Sequence, residues 1–572
     1  MRPRDLQRLA SETFDVAIVG GGIHGAAAAW EAASRGLSAA LVEKGDFGSA
    51  TSANSLKIIH GGLRYLQAAD FRRMRESIRE RRALLSIAPH LVRPLRFVIP
   101  AGSGMRGRAA LRLALAATDA IGFDRNPPGD PGGRLPAGRI LSPEELLRDA
   151  PGLGPEGAKA GGAEFWDCQV HDSERLVIEF VRAASFAGAA VANYAEAGAV
   201  LVEGGRVAGL SVRDALSGES FDLRARTVIN AAGPWGSRIV GLARRALTGG
   251  SRSLPGESSG PAALPLFCRG WNLVLPAAGT TDAAIGIASG AGGADATVRD
   301  NRPGRFIFLT PWRGRMILGT AYSRWSASPD DLRLDGRDVS GFLGELEAAA
   351  PSLRIAPSQV AFAHAGILPA VPAGGGAVAL ASRSVVMDHA PEGVPGLVTL
   401  HSVKYTTARL LAEKAVNIVA HRLGRAVRRS ETARTPLPGG RGGPLPRLAA
   451  DAASEASRLG VTLTPAVTER LARSHGSLFP EVLSIVRERE DLGRPLCDGV
   501  DHLGGEVLHA VRHEWAVKLS DVLMRRTGLG SAGNPGRAAV EAAARLMAAE
   551  LGWDASQIAR EVAETETAWP SW

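Results

Sequence analysis

The stretch Phe14-Asp15-Val16-Ala17-Ile18-Val19-Gly20-Gly21-Gly22-Ile23-His24-Gly25 decides how this chain folds. After Asp15 its first half is apolar throughout, as a strand buried on both faces must be. The second half fits GxGxxG. Gly20 permits a tight turn, Gly22 lets the backbone approach a pyrophosphate, and Gly25 lets the next helix pack closely on the strand. Ala26 to Arg35 predicts that helix, Gly36 its C′ residue, and Ser38–Val42 a second strand ending at Glu43. Free N–H groups and the dipole at the helix start attract phosphate. Glu43 stands where a carboxylate accepts ribose hydroxyls. These elements in register imply dinucleotide binding, although the motif alone does not separate FAD from NAD. His24, at an x position, reads as a tolerated surface residue.

Around this unit, 572 residues exceed what one core can hold and suggest three to four domains. With 45% hydrophobic and 22% charged residues, every part can bury apolar surface. The opening MRPRDLQRLASETFD lacks a signal-peptide core, and no apolar run has membrane-spanning length. Three widely spaced cysteines, Cys168, Cys268 and Cys497, form neither a disulfide framework nor a CxxC metal site, so no metal is expected. A cytoplasmic protein of a reduced compartment is the expectation. The net charge of +9 favours anionic substrates or an anionic membrane surface. Arginine is interleaved with acids along the chain, which argues against nucleic acid.

Residues 48–66, GSATSANSLKIIHGGLRYL, refine the cofactor. A run of small hydroxyls (Thr51, Ser52, Ser55) just after the ribose-binding acid can donate to a pyrophosphate. His60, Arg64 and Tyr65 then supply a proton acceptor, a fixed cation and a phenol beside two glycines, a set suited to an anionic alcohol. Further on, strand 227–230 ends in Ala231-Ala232-Gly233, small residues against which a flat cofactor can lie, and Pro234 stops the pairing. Strand 397–401 leads through Lys404 into a helix from about Thr406 to Leu423. Lys404 is one of only six lysines and sits at a helix start, where a cation is electrostatically poor unless it has work to do.

These segments resemble the FAD-dependent glycerol-3-phosphate dehydrogenase family. ATSANSLKIIHGGLRYL carries the match, followed in family order by APHLVRPLRFVIP (88–100), FWDCQVHDSERLVIEFVRAASFAGAAVANY (165–194), VINAAGPWGSRI (228–239), FIFLTPWRGRMILGT (306–320), LHSVKYTTARLLAEKA (400–415) and AVRHEWAVKLSDVLMRRTGL (510–529). The resemblance implies FAD as cofactor, held by Gly20, Gly22, Gly25, Glu43, Thr51, Ser52, Ser55, Ala232, Gly233, Lys404 and Thr406. It implies oxidation of glycerol 3-phosphate by hydride transfer to the flavin. His60 would act as the base or as a donor positioning FAD, Arg64 would hold the anionic end, Tyr65 would orient the substrate, and Lys404 would polarise its oxygen or steady the reduced flavin. Electrons would pass to a quinone or another acceptor, and the stretch 106–115 (RGRAALRLAL) would lie on the inner face of the membrane or form a soluble helix. A homodimer is compatible with this picture.

The substrate site departs from the family pattern at several positions. Leu368 replaces an arginine of the family's substrate site, and His401-Ser402-Val403-Lys404 stands for Phe-Gly-Gly-Lys. Arg269-Gly270-Trp271-Asn272 stands for Lys-Gly-Ser-His, and Gly319-Thr320-Ala321-Tyr322 for Gly-Thr-Thr-Asp. Losing a cationic fork weakens phosphate binding by about 1.5–3 kcal/mol per charged hydrogen bond, with His364 or His401 as partial replacements. A flavoenzyme for another hydroxy or amino acid, and a non-catalytic FAD-binding protein, are the alternatives.

The fold class that follows is α/β + α: a Rossmann-like, glycine/amino-acid-oxidase-like FAD domain, an antiparallel β substrate cap and a C-terminal helical domain. Residues 11–435 form the oxidoreductase region, with FAD-binding pieces at about 11–100, 165–240 and 365–425 and the cap mainly at 255–365. Residues 124–139 and 248–265 read as loops and 435–446 (TPLPGGRGGPLP) as a linker. Residues 447–572 read as a helical bundle, with Asp554 and Gln557 as a capping box.

Overall fold

The computed structural model describes residues 4–102, 107–127, 131–249, 266–277, 282–289, 298, 305–569 and 572, with backbone alone for Arg64, Gln67 and Pro131. Most of the expected loop 248–265, and Arg106 of the amphipathic stretch, lie outside the described residues. At the centre is a six-stranded sheet in the order Val385–Asp388, Leu397–His401, Val228–Asn230, Val16–Val19, Ala39–Val42, Ala190–Ala192. All pairings are parallel except that of the Val385–Asp388 edge strand.

The unbroken apolar strands are explained by burial on both faces. Val16 and Ile18 join a core shared by helices Ile23–Ser34, Ser173–Phe186 and Ala408–Arg422. Ala17 and Val19 join a second core, under a four-stranded sheet (Thr13–Phe14, Ser220–Ala225, Arg206–Asp214, Ala195–Glu203) and helix Gly236–Thr248. Alanine makes the close helix packing possible: Ala26 to Ala29, Ala32 and Ala33 are all buried, and Trp30 meets Phe180 edge to face at 5.5 Å.

A ten-stranded sheet covers the site. Strands Phe362–Pro372, Phe267–Pro276, Arg315–Trp325, Phe306–Trp312 and Ala283–Ala288 follow one another, and the last pairs in parallel with Val92–Pro100. Val92–Pro100 pairs in turn with Gly162–Val170, so the covering sheet also recruits chain from the first third of the sequence.

The C-terminal body is mainly helical but not a pure bundle. A hairpin, Pro495–Cys497 with Val500–Leu503, precedes helix Gly504–His513, and Val522–Arg526 winds as a π-turn. Asp554 does cap its helix through Gln557 N, but the Gln557 side chain bonds Glu561 instead of completing the box. The expected linker 435–446 is a packed strap. Pro438 and Gly439 are buried, Gly439 N donates to Glu179 at 2.7 Å, and a Cβ on Gly440 would fall 2.1 Å from the Ile87 carbonyl oxygen. Its glycines answer to close packing and not to flexibility.

Buried charge ties this body to the cofactor domain. Asp46, three residues past Glu43, takes both guanidine nitrogens of Arg526 at 2.6 and 2.7 Å and also pairs with Arg525. Tyr194 OH donates to Asp521 at 2.6 Å, Asn193 donates to the Trp515 carbonyl at 2.9 Å, and Trp515 meets Phe47 edge to face. Burial alone would raise the Asp46 pKa, but Arg526 and Arg525 outweigh it and hold the carboxyl below the usual range. Removing one partner of a fully buried pair strands the others. Asp46→Asn is therefore expected to cost about 3–5 kcal/mol in denaturant unfolding. With its folded pKa depressed below the unfolded value of about 3.9, Asp46 contributes fully above that pH and loses its contribution as pH falls through the folded value. The wild type should accordingly lose more stability than Asp46→Asn on going from pH 6 to pH 3, measured by the same unfolding curves.

Candidate active site

Gly20 has φ +101, and a Cβ there would lie 2.6 Å from the Ala231 carbonyl oxygen. A Cβ on Gly25 would fall 1.8 Å from the Gly20 carbonyl oxygen. Strand end and helix start are thus in backbone contact. Gly22 is the N-cap residue, in extended conformation, and its missing side chain faces Ser52 Oγ at 3.0 Å from a built Cβ. Ser52 Oγ accepts from Ile23 N at 3.0 Å and so caps the helix start where the pyrophosphate is expected.

Glu43 accepts from Gly21 N at 2.6 Å and Gly45 N at 2.8 Å, and burial raises its pKa. Thr51 Oγ1 exchanges hydrogen bonds with Ile367, donating to its carbonyl at 3.1 Å and accepting from its N–H at 3.2 Å. It therefore pins the hydroxyl run to the covering strand beside Leu368. Ser55 accepts from Lys57 N at 3.2 Å. Ala232 N donates to Asn230 at 3.3 Å, and Gly233 turns with φ +54.

The expected catalytic residues converge on the start of helix Ala408–Arg422. Thr406, buried, accepts from His60 N at 3.3 Å through its hydroxyl. Lys404 Nζ donates to Tyr65 OH at 3.3 Å and to Ser77 Oγ. Both the Lys404 ammonium, at 4.8 Å, and the Arg73 guanidinium, at 4.7 Å, lie over the Tyr65 ring. Arg73 is a cation that the sequence reading missed; it lies seven residues beyond the motif, in the first turn of helix Phe71–Ile87, and also pairs with the N-cap carboxylate of Asp70 at 2.6 Å. Arg64 shares the 3₁₀ turn Leu63–Ala68 with Tyr65, and its side chain is outside the described residues.

Three readings need correction. His24 is half-buried, not a surface residue. Burial lowers its pKa to about 4 although a hydrogen bond with the Lys404 backbone opposes the shift, and its Nε2 has no partner among the described residues. His364 cannot replace a missing cation, because burial lowers its pKa to about 3. His401 is lowered by burial as well. Arg269, in a segment that departs from the family pattern, is bonded to Asp338 and Ser323.

Lys57, unremarked in the sequence, is wholly buried. It donates to the Ala53 carbonyl at 2.7 Å, Ser173 at 2.9 Å and Glu174 at 2.5 Å, which bolts the hydroxyl run to helix Ser173–Phe186. Glu174 was in view as part of VHDSERLV, but nothing local joins the two.

Backbone contact at the glycines, a hydroxyl on the helix start and an orphaned imidazole nitrogen beside it fit a bound dinucleotide. Fold and site together define an FAD-dependent oxidoreductase. The profile described as FAD dependent oxidoreductase matches residues 15–417, and that of the C-terminal domain of alpha-glycerophosphate oxidase matches residues 430–558. A glycerol-3-phosphate dehydrogenase of Synechocystis sp. is 30% identical over 573 residues, covering 98% of this chain and 97% of the relative. A D-erythritol 1-phosphate dehydrogenase of Brucella abortus is 29% identical over 521 residues, covering 90% and 94%. The crystal structure of glycerol-3-phosphate dehydrogenase from Bacillus halodurans complexed with FAD superposes with TM-score 0.74 at 23% identity over 99% of this chain and 96% of that one, which is a likeness of fold. The chain belongs to the FAD-dependent glycerol-3-phosphate dehydrogenase family.

The glycines give a paired prediction. Gly25→Ala should fail to fold, because its Cβ meets backbone. Gly22→Ala meets only the Ser52 hydroxyl and should keep its circular-dichroism spectrum while retaining at least about 10-fold less flavin absorbance after gel filtration.

Proposed function

We propose that the chain oxidises the secondary alcohol of sn-glycerol 3-phosphate to dihydroxyacetone phosphate. The observation that carries this reading is the pair of cations, Lys404 and Arg73, gathered around the Tyr65 phenol at the start of the helix. Such a cluster binds an anionic alcohol and stabilises negative charge where it develops. FAD, when bound, supplies the acceptor for the hydride that leaves the carbinol carbon. His60 takes the hydroxyl proton, or else serves as the donor that positions FAD, with its backbone held by Thr406. Lys404 polarises the substrate oxygen, Tyr65 orients it, and Arg64 and Arg73 receive the phosphate.

A second phosphorylated polyol is favoured by one feature. Leu368 is half-buried on strand Phe362–Pro372 next to Ile367, which Thr51 holds, and it offers no charge where the family has arginine. A relative named for D-erythritol 1-phosphate supports this second reading. For electron exit we propose a quinone. Helix Arg108–Ile121 carries exposed Leu113, and exposed Phe123 follows it, alongside Arg108 and Arg112, a surface suited to an anionic bilayer. No described helix is long and apolar enough to cross a membrane.

Anaerobic mixing tests the substrate. Glycerol 3-phosphate should bleach the flavin absorbance in the wild type, whereas bleaching by erythritol 1-phosphate alone, or by a non-phosphorylated hydroxy or amino acid alone, would reject the primary reading. Lys404→Met should lower kcat/KM by about 10²-fold or more, equivalent to about 3 kcal/mol of transition-state stabilisation, with FAD still bound. Leu368→Arg should raise turnover of glycerol 3-phosphate if the native substrate is a different one, and should leave it unchanged or lower if the leading reading holds.

A further inference from the structure

Away from the flavin, a compact group of ligand-forming side chains lies where the C-terminal body meets helix Ser173–Phe186. Helix Gly504–His513 carries His509 and His513 one turn apart, with ring planes within 18° and centroids 4.9 Å apart. That spacing puts both imidazoles on one face. Helix Phe479–Val486 presents Glu481 to the same face, with Oε2 2.9 Å from His509 Nε2 and 4.0 Å from His513 Nδ1. One ligand atom from each residue lies within 4.8 Å of the other two. Tetrahedral zinc with nitrogen and oxygen ligands at about 2.0–2.1 Å needs ligand atoms about 3.3 Å apart, so shifts of about 1 Å close the set.

The surroundings suit an ion. His509 is fully buried, and its Nδ1 has no hydrogen-bond partner among the described residues, although Glu514 Oε1 stands 3.7 Å away. With a cation on Nε2, the proton resides on Nδ1 and faces that carboxylate, the arrangement that orients a metal-binding histidine. Carboxylates Glu179, Glu481, Glu506 and Glu514 and the guanidiniums Arg175, Arg182, Arg470 and Arg526 surround the cluster in equal number. Arg182 meets Glu481 on Oε2, the same oxygen that faces both imidazoles. Glu481 and His513 are half-exposed, which gives an ion an entry path and a water a fourth position. A second trio, His475, His509 and Glu514, is wholly buried, and there Glu514 meets two guanidiniums, Arg175 and Arg182, against the one, Arg182, on Glu481.

We propose that His509, His513 and Glu481 form a zinc site that pins helix Gly504–His513 to helix Phe479–Val486, with water as the fourth ligand. The nitrogen and carboxylate donors suit Zn²⁺ over Mg²⁺ or Ca²⁺, which prefer all-oxygen shells.

The purified flavin-containing chain, stripped with a chelator and dialysed against Zn²⁺, is expected to retain one zinc per chain by elemental analysis and to unfold at a higher temperature than the stripped protein. Co²⁺ in its place should give tetrahedral d–d bands beyond the flavin absorption. His513→Ala, at a half-exposed position, and Glu481→Gln, which keeps an acceptor for Arg182, should each weaken zinc binding at least 10-fold with flavin content unchanged. His421→Ala, an exposed histidine on helix Ala408–Arg422, should leave zinc binding as it is. The proposal is overturned if the wild type retains no zinc, if neither His513→Ala nor Glu481→Gln weakens binding, or if only His475→Ala does so.

Discussion

Two backbone segments touch at the start of the first long helix: the carbonyl of Gly20 occupies the space in which a side chain on Gly25 would sit. This contact sets the helix axis on the end of the central strand, so that its first N–H groups point to where the strand's own carbonyls stop. Other parts of the site are arranged around it. Ser52 satisfies one of those N–H groups, Glu43 closes the turn from the neighbouring strand, and Ala231 leaves only a methyl against it. A phosphate cradle of this kind depends on atoms being absent, so it tolerates little substitution.

Charge is organised on two levels. Near the flavin site Lys404 and Arg73 are partly exposed and gather round a phenol, with Asp70 pairing Arg73 from one side. Deeper in, cations are paired with acids: Lys57 with Glu174, Arg175 with Glu514, Arg526 with Asp46 and Arg409 with Glu80. Buried pairs add little net stability compared with apolar packing, but they strongly penalise any arrangement that separates the partners. They therefore fix how the C-terminal body and the hydroxyl run sit against the cofactor domain.

The parts of this architecture visible in the sequence are those encoded by neighbours in the chain. The glycine turn, its flanking strands and the Lys404 junction are local patterns, and the structure places them as read. Lys57 and Glu174 are separated by 117 residues, and neither composition nor periodicity links them. Arg73 was missed because it falls on a helix dense in arginine, where position and not residue type singles one out. His24 was misread because an x in a motif says nothing about which way a side chain turns. TPLPGGRGGPLP carries the composition of a spacer, yet its glycines serve contact with Ile87 and His475. Residue type alone does not separate freedom from crowding.

The clasp on Asp46 has a consequence for biogenesis. Its partner Arg526 lies 480 residues downstream. At translation rates of roughly 5–20 residues per second, the nucleotide-binding segment waits on the order of 25–100 s after emerging from the ribosome before that guanidinium has even been made. Throughout that interval the nascent amino-terminal segment carries a carboxylate without its mate and an uncovered Phe47. The clasp can therefore close only late in synthesis, and the interval before Arg526 appears is when a chaperone has the most exposed surface to hold.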